Sequence, residues 1–257
     1  MEATECDKTS ACDLRTPRRN HYFFGKLLDQ YHFELETDYH IYMRRLAHRF
    51  ISGYGVVCGL DVKPACDADN AIVVTPGFAI DRHGNEIIVE EPTRPIAIPG
   101  ELMPKHKPVG QKAAHAEEAH AHVVICYHEC ASEPTPVFAG DCCQQERCKP
   151  GVIRERYRIE FRPGCAPASS AELSIPDVIS NCEVDYRALV KLVSRDCCCP
   201  DDPCIPLANL HFGATGDDRR CYPEDIDIGI RPIVFTNDLL FQLLMCLVTK
   251  SNTWRQK

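Results

Sequence analysis

Cysteines crowd a few short stretches of this chain, and they constrain what it can fold into more than any other feature. Cys142-Cys143 stand close to Cys148, and Cys197-Cys198-Cys199 stand close to Cys204. There are 17 cysteines in 257 residues. A chain of this length buries enough surface to fold without staples. The thiols therefore point to metal ligation or cross-linking as part of the design. The count is odd, so complete intrachain pairing is excluded.

The start of the chain, Met1-Glu2-Ala3-Thr4-Glu5, is acidic and lacks the apolar run of a secretory signal. The expectation is folding in a reducing cytoplasm, where disulfides rarely persist. Structural zinc follows as the expected cofactor. Zinc takes four nitrogen or sulfur ligands in a tetrahedron, usually offered as closely spaced pairs. Cys143 and Cys148 enclose four residues, as do Cys199 and Cys204, while Cys126 and Cys130 enclose three. No stretch is a regular C-x2-C…C-x2-C. The favoured site draws Cys130, Cys142, Cys143 and Cys148 from one long loop and Cys197, Cys199 and Cys204 from another. A closed site of this kind would add metal binding directly to folding. Disulfides formed after release, and unligated thiols, are the alternatives. Cys58, Cys126 and Cys246 lie inside apolar runs and read as small core residues.

The local patterns predict an α+β, β-rich fold. Residues 1–20 are polar and read as a flexible or docking arm, and the basic run Arg15-Thr16-Pro17-Arg18-Arg19 as solvated. From Asp29, a plausible N-cap, Leu35, Tyr39, Met43, Leu46 and Phe50 recur at helical spacing, and Gly53 stops the helix. Strands are expected over 54–63, 71–75, 78–81 and 86–90, with Arg82-His83-Gly84-Asn85 as a hairpin turn and 95–98 as an edge piece. Helix and β unit together make a first region, 21–99. Residues 100–121 read as an exposed loop, whose His106, His115 and His120, with His122 just beyond, lack a hydrophobic frame to hold a metal.

The cysteine-rich half, 122–250, opens with a strand over 122–129 and an irregular loop over 131–150. Further strands are expected over 152–162, 205–212 and 226–235, and a helix over 184–195. A last helix, 238–249, is capped by Thr236 or Asn237 and is apolar nearly all round. Such a helix is buried on several sides, in a core or against partner subunits. A tail, 251–257, carries Trp254.

Several function classes are disfavoured. The net charge of −8 argues against a nucleic-acid partner. No run approaches the ~18 apolar residues of a membrane helix, so direct membrane insertion is not expected. No G-x-S-x-G, phosphate loop or H-E-x-x-H occurs. A cysteine nucleophile would need a close base and an electropositive pocket, which no spacing here specifies. The acidic pairs Asp217-Asp218 and Glu224-Asp225 read as solvated turns rather than calcium loops. The chain is expected not to be an enzyme.

Two stretches are familiar. Tyr22-Phe23-Phe24-Gly25-Lys26-Leu27-Leu28, Asp38-Tyr39, Arg44-Arg45-Leu46 and Gly53-Tyr54-Gly55-Val56-Val57-Cys58-Gly59-Leu60 resemble the opening of proteins encoded with phage-tail-like contractile injection systems. Val73-Val74-Thr75-Pro76-Gly77-Phe78-Ala79-Ile80-Asp81 is similar to a segment of phage tail-fibre and baseplate proteins. Tyr127-His128-Glu129-Cys130 and Cys204-Ile205-Pro206-Leu207-Ala208 add to the likeness, and the 100–121 insert departs from it. The resemblance implies a baseplate-associated adaptor or fibre anchor that assembles in the cytoplasm and then joins the particle. It implies baseplate or fibre proteins as partners and a homo-oligomer, with a trimer favoured. A stand-alone ligand-binding module is the alternative, and a thiol or metal-dependent enzyme ranks below it.

Overall fold

The computed structural model describes residues 14–68, 70–103, 119–137, 148–167, 179–180, 183–194, 200–212 and 225–254. The fold is α+β and β-rich, with antiparallel sheets and an N-terminal helix. That helix, α1 (Gln30–Ala47), starts at Asp29, whose carboxylate accepts the His32 amide while the His32 ring closes a reciprocal capping box. Its last turn widens over His48–Ser52, and the Gly53 amide returns to the His48 carbonyl at 2.8 Å. The anticipated apolar stripe is only half-covered: Leu35, Tyr39 and Leu46 are partly buried, whereas Met43 and Phe50 are exposed. The one buried residue is Tyr42, off that stripe. Its hydroxyl bonds the Arg15 backbone, and the Arg15 guanidinium lies 4.8 Å from its ring centroid. Arg15, the first residue of the basic run, is thus laid on α1, while Arg18 and Arg19 are exposed as expected.

The strand expected over 54–63 is two strands, β1 (Gly55–Gly59) and β2 (Val62–Pro64), in different sheets. The break is at Gly59 and Leu60, with φ of 64° and 55°. A Cβ on Gly59 would lie 2.0 Å from the Pro76 carbonyl oxygen, so only glycine lets the backbones cross there. β3 (Ala71–Val74), β4 (Gly77–Ile80), β5 (Glu86–Val89) and β6 (Ile96–Ala97) follow the expected positions. They form two three-stranded sheets, β1-β4-β5 and β2-β3-β6. The β4–β5 turn is held by fully buried Asp81, whose carboxylate accepts the amides of His83 and Asn85 at 2.8 Å and the Asn85 side chain at 2.7 Å.

A long hairpin, β7 (Ala119–Pro136) and β8 (Cys148–Pro163), dominates the second half. It takes in both ends of the 131–150 stretch expected to be irregular, because the ladder pairs without interruption from Ala121↔Pro163 to Ser132↔Val152 and resumes at Pro134↔Pro150. Residues 138–147 lie outside the described residues. β9 (Ile179–Ser180) and β10 (Glu183–Val184) form a small ladder before helix α2 (Tyr186–Val193), which Asp185 caps. β11 (Ile205–Phe212) pairs with β7 and with β12 (Asp225–Asp227), giving the order β12-β11-β7-β8. The strand expected over 226–235 stops at Asp227. After a turn the chain instead adds to the edge of β1, with the Val56 amide donating to the Pro232 carbonyl at 2.8 Å and the Val234 amide to the Val56 carbonyl at 3.0 Å. The last helix, α3 (Asn237–Trp254), begins where the Thr236 hydroxyl accepts the Leu239 amide.

One core joins the two halves. Leu60, Ile72, Val74, Ile87 and Val89 from the small sheets pack with Val123, Ile125, Ile205, Leu207 and Leu210 from the large one. Arg231 braces the same junction from outside. Its guanidinium donates to the carbonyls of Leu207 and Gly59 and lies 3.7 Å from Asp61, and burial lowers its pKa.

Candidate functional site

Alternation along β7 separates core from chemistry. Ala121, Val123 and Ile125 face the core, so His120, His122, Val124 and Cys126 share the opposite face. At one end of that face Cys126 meets Cys204, which stands just before β11. The pair Ile125↔Ile205 fixes the register, and the next position brings the two cysteine Cα atoms to 4.5 Å. They form a disulfide, buried beside Val124. The Glu160 carboxylate on β8 lies with both sulfurs inside a 4.8 Å cluster. Its charge is held by Arg158 at 2.6 Å and Arg162 at 3.3 Å. Arg162 also holds Asp202 at 2.5 Å, and Asp202 accepts the Cys204 amide at 3.2 Å. The Arg162 hydrogen bond pulls the Asp202 carboxyl below its ordinary pKa. Arg162 and Asp202 thus tie the strand β8 to the segment that delivers Cys204.

The thiols expected to bind zinc are placed as follows. Cys130 and Cys148 are both exposed on the β7–β8 hairpin, but Cys148 pairs with Pro136, six positions from Cys130. That is about 20 Å along a strand. Cys204 is bonded to Cys126. Cys142, Cys143, Cys197 and Cys199 lie outside the described residues. The three described members of the set are therefore not brought together.

Of the thiols read as core residues, Cys126 is buried but cross-linked, while Cys58 and Cys246 are exposed. A bulge between Val56 and Cys58 in the β1–β4 register turns Cys58 outward. Cys246 rides on α3, which no core covers.

α1 is tied by charge to β5 and to the middle of the hairpin. Arg44 reaches Glu86 at 3.4 Å and Glu155 at 3.6 Å, and Arg45 reaches Glu129 at 3.3 Å. Arg45 also stands 5.8 Å from the ring of Tyr127, whose hydroxyl donates to Glu129 at 2.9 Å. Burial and these carboxylates raise the Tyr127 pKa well above its usual value, so the phenol stays a proton donor.

Among the described residues, the longest run of exposed apolar side chains is on α3. Leu240, Phe241, Leu243, Leu244, Met245, Leu247 and Val248 are all exposed, between 43% and 64%. The helix expected to be buried on several sides therefore exposes most of its large apolar side chains in the single chain. Its N-terminal neighbours Ile233 and Phe235 extend the patch.

No protein-family model and no curated protein matches this chain. Among solved structures it is similar to a crystal structure of TssK, with 14% identity and a TM-score of 0.31. The match covers 58% of this chain and 35% of that one, so the chain spans about a third of the TssK length. A likeness at that TM-score carries no functional argument.

Proposed function

We propose that this chain is a non-catalytic structural component of a phage-tail-like contractile injection particle, a baseplate-associated adaptor or fibre anchor that assembles through α3. The observation that carries the reading is the uncovered helix. A protein helix draws most of its stability from packing of its apolar face, and the 18-residue α3 leaves that face open in the single chain. A contiguous apolar patch of this extent marks an interaction surface. An apolar surface running nearly all round a helix needs neighbours on more than one side, and a three-helix bundle of identical chains supplies two to each helix. The motif resemblance at residues 22–28, 53–60 and 73–81 supplies the kind of particle.

The test is the oligomeric state of the full chain against one lacking residues 238–257. The expected result is a trimer for the full chain and a soluble, folded monomer for the shortened one. A monodisperse full-length monomer would sink the proposal. An insoluble shortened chain would make α3 an ordinary core helix and sink it equally.

A further inference from the structure

At the other end of the face that carries the disulfide, three metal-ligating side chains meet, two from strands and one from the segment that follows a third strand. His120 on β7 is directly opposite His211 on β11, and their Nδ1 atoms are 3.0 Å apart with rings nearly perpendicular. Cys165, just past the end of β8, joins them, with one ligand atom of each residue inside a 4.8 Å cluster. We infer that His120, Cys165 and His211 bind one zinc-class divalent ion. Two nitrogens on a tetrahedral zinc at its usual bond length stand about 3.3 Å apart, and a nitrogen and a thiolate sulfur about 3.6 Å apart. The two imidazoles are already within a few tenths of an ångström of that spacing. Two imidazoles and a thiolate are a borderline-soft donor set, which favours zinc over magnesium or calcium.

The position of Cys165 is built by its neighbours on both sides. Gly164, at φ 75°, turns the chain off β8. Its amide donates to the His120 carbonyl at 2.8 Å, and its carbonyl accepts from His122 Nδ1 at 2.8 Å. On the other side the buried Ala166 amide donates to the Asn209 side chain at 2.8 Å. His122 and Asn209 are themselves buried polar residues, at 8% and 5% exposure. Each sits two residues from a histidine ligand on the same strand face. The segment carrying the thiol is thus pinned to the two strands that carry the imidazoles, the outer-shell support a metal site requires. The ion would clip the ends of β7, β8 and β11 together and keep one coordination position for water or another ligand. Nothing in this inference depends on the assembly role.

The experiment titrates cobalt(II) into full-length, metal-stripped protein and reads its visible absorption, with bound metal counted by native mass spectrometry. Cys165→Ser and His211→Gln are each compared with wild type, and Cys66→Ser, an exposed thiol elsewhere, serves as the control. Each of the two site variants should lose one equivalent of bound cobalt, or bind it at least about 100-fold more weakly, since disturbing even the outer shell costs 10–100-fold. Cys165→Ser should also lose a thiolate-to-cobalt charge-transfer band, and Cys66→Ser should match wild type. Unchanged binding in either site variant, or an equal loss in Cys66→Ser, would overturn the site. Cys165 is exposed, so its serine variant leaves the core packing intact. Zinc at a hundredfold excess over Kd should raise the wild-type melting temperature by roughly 5–10 °C and leave the Cys165→Ser variant unmoved.

Discussion

Leu244→Asp separates an assembly helix from a core helix. Leu244 is 60% exposed in the single chain, near the middle of α3. Burying a leucine completely is worth about 1.5–3 kcal/mol, so the area still open on Leu244 represents about 1–2 kcal/mol per protomer. Three copies in a trimer bring the loss to about 4 kcal/mol, before the added cost of desolvating an aspartate. That is about a thousandfold in the trimer association constant. The midpoint concentration of a monomer–trimer equilibrium scales with its square root, so it should rise at least about 30-fold. Folding of the monomer should change by no more than about 0.5 kcal/mol, the usual effect at an exposed site. Sedimentation velocity over a dilution series reads the first quantity, and thermal unfolding of dilute protein reads the second. Leu60→Ala is the comparator. Leu60 is fully buried, and truncating it should cost about 2–5 kcal/mol of folding stability. If Leu244→Asp destabilises the dilute monomer as Leu60→Ala does, or leaves the oligomer midpoint where it was, the reasoning is wrong.

Two further outcomes follow from the sheet. Replacing both Cys126 and Cys204 by alanine opens a cross-link with a sequence separation of 78, and should cost about 2–4 kcal/mol in denaturant unfolding under non-reducing conditions; equal stability of the variant and oxidised wild type would remove the disulfide from the folded protein. Because Arg162 lowers the folded-state pKa of Asp202 below its ordinary 3.8, that pair stabilises above about pH 4 and the contribution fades as pH falls through the lowered value. Arg162→Ala should therefore lose at most about 1 kcal/mol at neutral pH, since the pair is well exposed, and the difference from wild type should shrink at pH 3; a difference that grows on acidification would contradict the assignment.

Periodicity and turn chemistry carried most of the local structure. Asp29 and Gly53 bounded the first helix because a cap and a stop act within a few residues. The strand over Ile205–Phe212 and the turn at residues 82–85 were legible for the same reason. The split at Gly59-Leu60 was not, since the Pro76 carbonyl that leaves no room for a Cβ at Gly59 approaches only in the folded chain. The arginines at 44 and 45 were read as favourable charges on a helix end, but their partners Glu86, Glu129 and Glu155 are set by packing.

The site shows the same division. The sequence by itself determined that cysteines crowd a few short segments, that the polypeptide is β-rich between its first and last helices, and that the last helix is apolar nearly all round. Tertiary structure alone decided which residues meet. His120 and His211 are 91 positions apart, and Cys126 and Cys204 are 78. Strand register brings both pairs together, because a shift of one residue would send every one of these side chains to the other face. Spacing along the chain reports only ligands close in sequence, whereas this sheet draws its chemistry from strands far apart in the chain.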